Sequence, residues 1–252
     1  MKNRIYVLIL LLNVTIDIFA SCDNYAPFSN EIKIKKIKLT EFVCNSVSNN
    51  LGVVTNCLFS IPSKDTLLNI VCKDNQCFVK AFIQKKMVLQ ETPFGGFDFY
   101  IGMSAYSADF NQDKRVDFVI YSYSGGCGIN AGSCAVTFIL SSEVGYIVTS
   151  VNTLFPNKNN FVFLDKKPYF IQTDLLGMNK CNDGKHHNFW VYNLLALNKK
   201  NVQVNNSSHS SFPKIIWYTF KPNHKETTII SNKQKRILQK KALNRIFWKQ
   251  GE

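Results

Sequence analysis

The sequence contains none of the short motifs that mark the common hydrolases and nucleotide-binding enzymes. GxSxG, HExxH and the phosphate-binding P-loop pattern are all absent. No pair of carboxylates can be nominated for acid–base chemistry, and no cysteine spacing has the CxxC form of a zinc knuckle. An enzyme is therefore not expected from motifs alone.

Long apolar runs are also missing. The N-terminal apolar run covers only residues 5–12, which is too short to span a bilayer, and Asn13 and Asp17 interrupt its continuation. Lys2 and Arg4 precede the run, and small residues follow at 20 and 21. This arrangement predicts a signal peptide over residues 1–21 and hence an exported chain: periplasmic, envelope-anchored or secreted.

Residues 19–22, Phe-Ala-Ser-Cys, resemble a bacterial lipoprotein processing site, in which the last residue is the lipidated cysteine. Phe19 departs from that pattern, where leucine is usual. Two outcomes stay open: lipidation at Cys22, or ordinary cleavage after Ala20. The chain has eight cysteines, so lipidation would leave an odd number for pairing, whereas plain cleavage would leave an even set suited to an oxidising compartment.

Two pairs of cysteines bracket short polar turns, and a third pair, Cys44 with Cys57, would then close a longer loop. Disulfides of this kind are favoured over a metal site in an exported chain. The predicted pairs are Cys44 with Cys57, Cys72 with Cys77, and Cys127 with Cys134. Cys181 is then either free or paired with Cys22.

Ala and Glu are scarce, whereas Phe, Tyr, Val and Ile are common, and this balance favours strands. Many short apolar runs are separated by turn clusters such as NSVSNN at 45–50. The fold class predicted for residues 22–220 is mainly β: a disulfide-stapled sandwich or a partial, propeller-like β body. Its first strand is expected at 32–39, where lysines alternate with apolar residues as on an exposed edge. The other strands are predicted at 53–60, 67–72, 77–83, 87–90, 97–101, 116–123, 135–140, 146–151, 187–197 and 215–220, and residues 161–173 are predicted to form a further hairpin.

Residues 221–252 form a basic C-terminal segment. The net charge of the chain is +13, and residues 214–252 alone carry ten Lys and Arg against two Glu. Apolar residues recur at helical spacing over 231–250, with Ser231 or Asn232 as N-cap, which predicts a basic amphipathic helix. This helix could cover the β body or lie on an anionic membrane surface. Nucleic acid is not expected as a partner of an exported, disulfide-rich chain.

Oxygen-bearing side chains recur at alternate positions in residues 109–117, immediately before an apolar strand. Asp109, Asn111, Asp113 and Asp117 occupy loop positions 1, 3, 5 and 9, and Arg115 at position 7 would supply its backbone carbonyl. Alternate residues of a tight loop point inward, and hard oxygen ligands are those that calcium prefers. The 109–117 loop is therefore a predicted structural Ca²⁺ site.

This loop resembles the calcium-binding loops of FG-GAP (VCBS-type) repeats, which lie in β-propeller blades and also occur in uncharacterised exported bacterial proteins. The resemblance covers about twenty residues, including the strand that follows. The family commonly has glycine at loop positions 4 and 6, where this chain has Gln112 and Lys114. A positive φ would cost Lys114 about 1 kcal/mol. The resemblance implies a blade-like hairpin and no particular physiological role.

His186 and His187 stand at the start of a strongly apolar strand, after an Asp-Gly turn. Consecutive strand residues face opposite ways, so the two histidines should not serve one site. His187 with Asp174 or Asp183 is the basis of the alternative function, an exported hydrolase. The main expectation is a non-catalytic, calcium-binding exported protein that binds a protein or envelope partner.

Overall fold

The computed structural model describes residues 35–50, 53–61, 64–73, 76–95, 102–124, 132–178, 180–218 and 228–248. Within these ranges the chain is mainly β, with three antiparallel sheets that do not close into a barrel and a C-terminal helix. The strands are β1 Lys35–Lys36, β2 Thr40–Glu41, β3 Val43–Asn50, β4 Val53–Ile61, β5 Thr66–Lys73, β6 Gln76–Ile83, β7 Lys86–Phe94, β8 Gly102–Ala108, β9 Asp117–Tyr123, β10 Ser133–Ser142, β11 Gly145–Leu154, β12 Phe161–Leu164, β13 Lys167–Met178, β14 His187–Leu197, β15 Val202–Val204 and β16 Lys214–Trp217, and the helix α1 is Asn232–Ile246.

Each sheet is built mainly from strands that follow one another in the chain. The first sheet has the order β3-β4-β5-β6-β7, and the second has the order β11-β10-β9-β8-β2. The third sheet runs β1-β12-β13-β14-β15, and β16 pairs with a different part of β14. The two N-terminal strands therefore join sheets whose other strands come much later in the chain.

The second sheet lies between the other two and is buried on both faces. Phe118 and Ile120 of β9 belong to an apolar cluster shared with the first sheet. Val119 and Tyr121, which face the opposite way, belong to a cluster shared with the third sheet. Nearly every residue of β9 and β10 is buried, so the continuous apolar runs in these strands follow from their central position.

Helix α1 packs one narrow stripe onto the third sheet. Leu238, Ala242 and Ile246 are fully buried, which is the spacing of one helical face. Ser231 is the N-cap: its Oγ accepts a hydrogen bond from Gln234 N, and the Gln234 side chain accepts one from Ser231 N. The predicted helix and its Ser231 cap are thus confirmed, and its apolar stripe covers the β body.

The residues after α1 attach it to the second sheet. Phe247 forms an isolated antiparallel bridge with Val151 in β11, and Trp248 N donates to Ser150 O at 3.1 Å. The Trp248 ring lies where a Cβ on Gly95 would stand, so glycine at 95 permits this close approach. No helix in the described part of the chain is long and apolar enough to cross a membrane.

The mainly β fold class with a C-terminal helix is confirmed, and most predicted strands are present. The prediction of NSVSNN as a turn is wrong, because residues 45–50 belong to β3. Strand β3 is polar because it is the outermost strand of the first sheet, and two register shifts interrupt its pairing with β4. Residues 1–21 and the predicted strand at 97–101 lie outside the described residues.

Candidate functional site

The 109–117 loop connects β8 to β9 at one end of the second sheet. Its backbone is left-handed at two positions, with φ of 60° at Gln112 and 68° at Lys114. These are loop positions 4 and 6, where the FG-GAP pattern commonly has glycine. Two residues with side chains therefore lie in a backbone region that favours glycine, at the two positions where the pattern commonly has glycine.

Side-chain oxygens of the loop turn inward onto its own backbone. Asp109 Oδ1 accepts from Asp113 N at 2.9 Å, and Asp109 Oδ2 accepts from Lys114 N at 2.9 Å. Asn111 Oδ1 accepts from the same Asp113 N at 3.1 Å. Predicted ligand positions 1 and 3 therefore converge on the backbone of position 5.

Asp113 is held by a cation from its own loop and by a hydroxyl from β10. Arg115 donates from Nη2 and Nε to Asp113 Oδ2 at 2.7 and 3.0 Å, and Ser141 Oγ lies 2.9 Å from both carboxylate oxygens. Burial acts to raise the pKa of Asp113, but the hydrogen bonds from Arg115 and Ser141 outweigh it and bring the pKa below its ordinary value. The Arg115 guanidinium thus already bonds to Oδ2 of Asp113, which is one of the predicted calcium ligands.

Asp117 is fully buried and anchors the loop to the sheet. Its Oδ2 accepts from Phe110 N at 2.7 Å and Asn111 N at 3.1 Å, and its Oδ1 accepts from Ser141 N at 2.6 Å. Burial raises the pKa of Asp117 to about 6, against the opposing effect of these hydrogen bonds. Asp117 therefore ties the start of the loop and strand β10 to the first residue of β9, and it shares Ser141 with Asp113.

The donor chemistry of the loop fits calcium, although its carboxylates are not gathered into a ready-made cage. Among the residues described, no group of three or more His, Cys, Asp or Glu is arranged to hold a metal ion. Asp109, Asn111 and Asp113 are the side chains that could bind Ca²⁺ together, because their oxygens lie around one turn of backbone. Participation of the Arg115 carbonyl and of Asp117 stays a prediction.

Ser141 is a member of this site that the sequence pattern does not reveal. It contacts Asp113 through Oγ and Asp117 through its backbone N–H, and its carbonyl accepts from Asn111 Nδ2 at 2.6 Å. It lies 28 residues beyond Asp113 in the chain. Only the pairing of β9 with β10 brings it to the loop.

The structure pairs His187 with Asp183 rather than with Asp174. His187 Nε2 lies 2.7 Å from Asp183 Oδ2, and its ring packs edge-on against Trp217. The hydrogen bond from His187 lowers the pKa of Asp183. Cys181 is buried nearby, and desolvation raises the pKa of its thiol, which disfavours the thiolate that a nucleophile needs. His186 is exposed beside this cluster.

The Cys72–Cys77 disulfide is present and closes the β5–β6 hairpin as predicted. In the β3–β4 pair, Cys44 lies opposite Phe59, and Cys57 lies opposite Val47. The Cys44 side chain, Cys127 and Cys22 lie outside the described residues, so the other two disulfides and the lipidation site stay predictions.

Comparison of the chain with protein-family models, with curated proteins and with solved structures finds no match. The resemblance to FG-GAP repeats therefore rests on the residues and backbone of the 109–117 loop.

Proposed function

We propose that this chain is an exported, non-catalytic binding protein that takes up Ca²⁺ in its 109–117 loop and associates with the cell envelope. The observation that carries the calcium part is the left-handed backbone at Gln112 and Lys114. Non-glycine residues adopt this conformation at a cost, and here they do so at the two positions where calcium loops of this pattern turn. The oxygens of Asp109, Asn111 and Asp113 supply the matching hard donors.

Arg115 sets the strength of calcium binding in this proposal. Two N–H groups of its guanidinium donate to one oxygen of Asp113, so Ca²⁺ competes with a cation that is already in place. The Arg115 side chain is 45% exposed and can turn to solvent. The bound ion would then be structural, because it would neutralise carboxylates held close together at the end of the second sheet.

Calorimetric titration of the mature, oxidised chain with CaCl₂ tests the calcium part. We expect one binding event, tighter by about tenfold in Arg115→Gln, where the competing cation is removed. Binding should be lost in Asp113→Asn. Lys114→Gln is the matched control, because it removes an adjacent positive charge that makes no ion pair with Asp113. Absence of binding heat in both the wild type and Arg115→Gln would overturn the calcium proposal.

The envelope part rests on the outer surface of α1. The apolar stripe of the helix is already buried against the third sheet, so it is not available to enter a lipid bilayer. The helix carries six Lys and Arg and no acidic residue. A basic, water-facing surface of this kind is attracted to anionic headgroups, with about 1 kcal/mol for each basic residue near the surface.

Vesicle sedimentation tests the envelope part separately. The wild type should bind vesicles containing phosphatidylserine, release them as the salt concentration rises, and ignore pure phosphatidylcholine. A Lys240→Gln/Lys241→Gln variant should bind less, whereas Lys199→Gln/Lys200→Gln, placed in the β14–β15 turn, should bind as the wild type does. Equal sedimentation with both lipids would refute an electrostatic surface and turn attention to a protein partner.

One observation favours the alternative, an exported hydrolase: the hydrogen bond between His187 and Asp183. His187→Ala tests it in a panel of esterase, amidase and phosphatase substrates. Any hydrolytic activity of the wild type that the variant lacks would support the alternative. Equal activity of the two proteins would leave it without support.

A further inference from the structure

The first sheet has one side that the second sheet does not cover. Leu68 and Ile70 of β5 and Val79 of β6 point toward the second sheet, are fully buried and belong to the apolar cluster that the two sheets share. Successive residues of a strand point to opposite faces, so the residues between these three point away from the second sheet. We call this side of strands β3–β7 the outer face.

Large apolar side chains make two rows across the outer face. Leu67 lies opposite Phe82, which lies opposite Met87, and Val71 lies opposite Phe78 in the second row. Leu67, Phe78 and Phe82 are half-buried, whereas Val71 and Met87 are 37% and 53% exposed. Apolar side chains grouped in this way mark an interaction surface, whereas single exposed ones are ordinary.

Strands β3 and β4 extend this surface without adding charge. Six large apolar side chains are exposed in the described part of the chain, and Val43, Val71 and Met87 on the outer face are three of them. Val43 belongs to this face because it lies opposite Ser60 of β4, whose two neighbours in the strand are buried. Residues 42–63, which include both strands, contain no charged residue, although the net charge of the chain is +13.

One ion pair lies between the two apolar rows. Lys80 lies opposite Asn69, and its Nζ is 2.8 Å from Glu91 Oε2 of β7. Among the described strand residues that point outward, the other charged one is Lys73 at the end of β5, whose Nζ lies 5.5 Å from the centre of the Phe78 ring. The centre of the outer face therefore carries one charge of each sign, and these two charges cancel.

The charges indicate which partner this surface fits. Two copies of a chain with a net charge of +13 repel each other, and they do so least where they approach through a neutral face. An acidic partner is attracted more strongly to the basic surface of α1, which has six Lys and Arg and no acidic residue. A second copy supplies matching apolar rows and a Lys80–Glu91 pair that needs no further counter-charge when it is buried.

The outer face is also large enough for a stable dimer. It is built from five strands of eight or nine residues each. With about 4.8 Å between strands and about 3.3 Å for each residue, it covers roughly 650 Å² on each copy. Two copies would bury roughly 1,300 Å², within the range of about 1,200–2,000 Å² found for specific interfaces. Stacking of two sheets with interdigitated side chains is a standard packing of β proteins.

We propose that the protein forms a symmetric dimer in which the outer faces of two copies stack against each other. The apolar rows of the two copies bury one another, and the two Lys80–Glu91 pairs lie together near the centre of the interface. The calcium loop belongs to the second sheet and α1 packs on the third, so the dimer depends on neither of these proposed sites.

Sedimentation velocity of the mature, oxidised chain tests the proposal. The fraction of dimer should rise with protein concentration over about 5–500 μM. Val71→Lys and Met87→Lys place a charge in an apolar row, so each should raise the dissociation constant at least about tenfold. Val144→Lys, at an exposed valine in the β10–β11 turn, is the matched control and should dimerise as the wild type does. Circular dichroism checks that each variant is folded.

Charge reversal in the ion pair tests whether the partner is a second copy of the same face. Lys80→Glu leaves two acidic residues at the centre of the face, and Glu91→Lys leaves two basic residues. Each variant alone should therefore dimerise at least about tenfold more weakly. Mixing the two variants should restore the dimer, because their faces then carry opposite charges. The variant with both changes should dimerise as the wild type does.

Two outcomes would overturn the proposal. One is a wild type that stays monomeric up to about 1 mM, which would mean that another part of the chain, a different protein or lipid covers the outer face. The other is a dimer that Val71→Lys and Met87→Lys weaken no more than Val144→Lys does, which would place the interface elsewhere.

Discussion

Replacing Asp117 with alanine removes one carboxylate and leaves three buried backbone N–H groups without an acceptor. These are the groups of Phe110, Asn111 and Ser141, at 2.7, 3.1 and 2.6 Å. Each buried donor left unpaired costs about 1–3 kcal/mol. Loss of the buried charge removes its desolvation penalty, which offsets part of this sum. We therefore expect the free energy of unfolding to fall by about 3–5 kcal/mol, a large share of the 5–15 kcal/mol typical of a domain.

The measurement is urea unfolding in the presence of a chelator, so that calcium contributes nothing. With an m-value near 3 kcal/mol/M, a loss of this size lowers the unfolding midpoint by about 1–2 M, with m unchanged. Asp117→Asn should lie between the alanine variant and the wild type, because its amide keeps one acceptor oxygen but turns an N–H donor toward a backbone N–H.

Asp113→Ala is the matched comparison within the same loop. Its main partner, Arg115, is 45% exposed and can hydrogen-bond to water when the carboxylate is lost. We expect a loss of only about 1–2 kcal/mol in chelator. Added calcium should stabilise the wild type and not Asp113→Ala. If Asp117→Ala were no less stable than Asp113→Ala in chelator, the assignment of Asp117 as the anchor of the loop would be wrong.

Three further predictions concern the rest of the fold. Gly95→Ala should destabilise the protein by about 1–3 kcal/mol, because the new methyl group takes the place of the Trp248 ring, whereas Gly102→Ala, with open space around it, should change the urea midpoint little. Ser231→Ala should cost about 1 kcal/mol in the same assay through loss of the helix cap. Burial raises the pKa of Asp174, so the folded state binds the proton of this carboxyl group more tightly than the unfolded chain does. Its contribution to stability should therefore fall as the pH rises from the ordinary aspartate value through the raised pKa, and unfolding curves of Asp174→Asn across that range should lack this slope.

The strands that could be predicted are those with strong local patterns. The apolar run predicted at 77–83 is β6 Gln76–Ile83, and the buried strand predicted at 187–197 is β14 His187–Leu197. Strand β3 was missed because a strand at the edge of a sheet can be polar, and its NSVSNN segment has turn composition. Strand β8, Gly102–Ala108, was missed because its small residues carry little apolar signal.

The candidate sites likewise contain some contacts between residues close together in the sequence, which could be predicted, and others between distant residues, which could not. The calcium loop could be predicted because its ligands lie within nine residues, and the positive φ at Lys114 follows from its place in the pattern. Ser141 and the pairing of Asp174 with Arg245 could not, because these contacts join residues far apart in the chain. The sequence offers Asp174 as a partner for His187, but the register of β13 with β14 places Asp174 opposite Val191 instead.

The N-terminal strands have a consequence for the assembly and solubility of the protein. Strand β1, Lys35–Lys36, pairs with β12 of the third sheet, and strand β2, Thr40–Glu41, pairs with β8 of the second sheet. One short segment therefore covers two strands whose free backbone groups could otherwise pair with another chain. Both partner strands lie far along the chain from this segment, so its two contacts are long-range contacts. Its release from the finished protein would uncover both edges at once and create a point of self-association that depends on protein concentration.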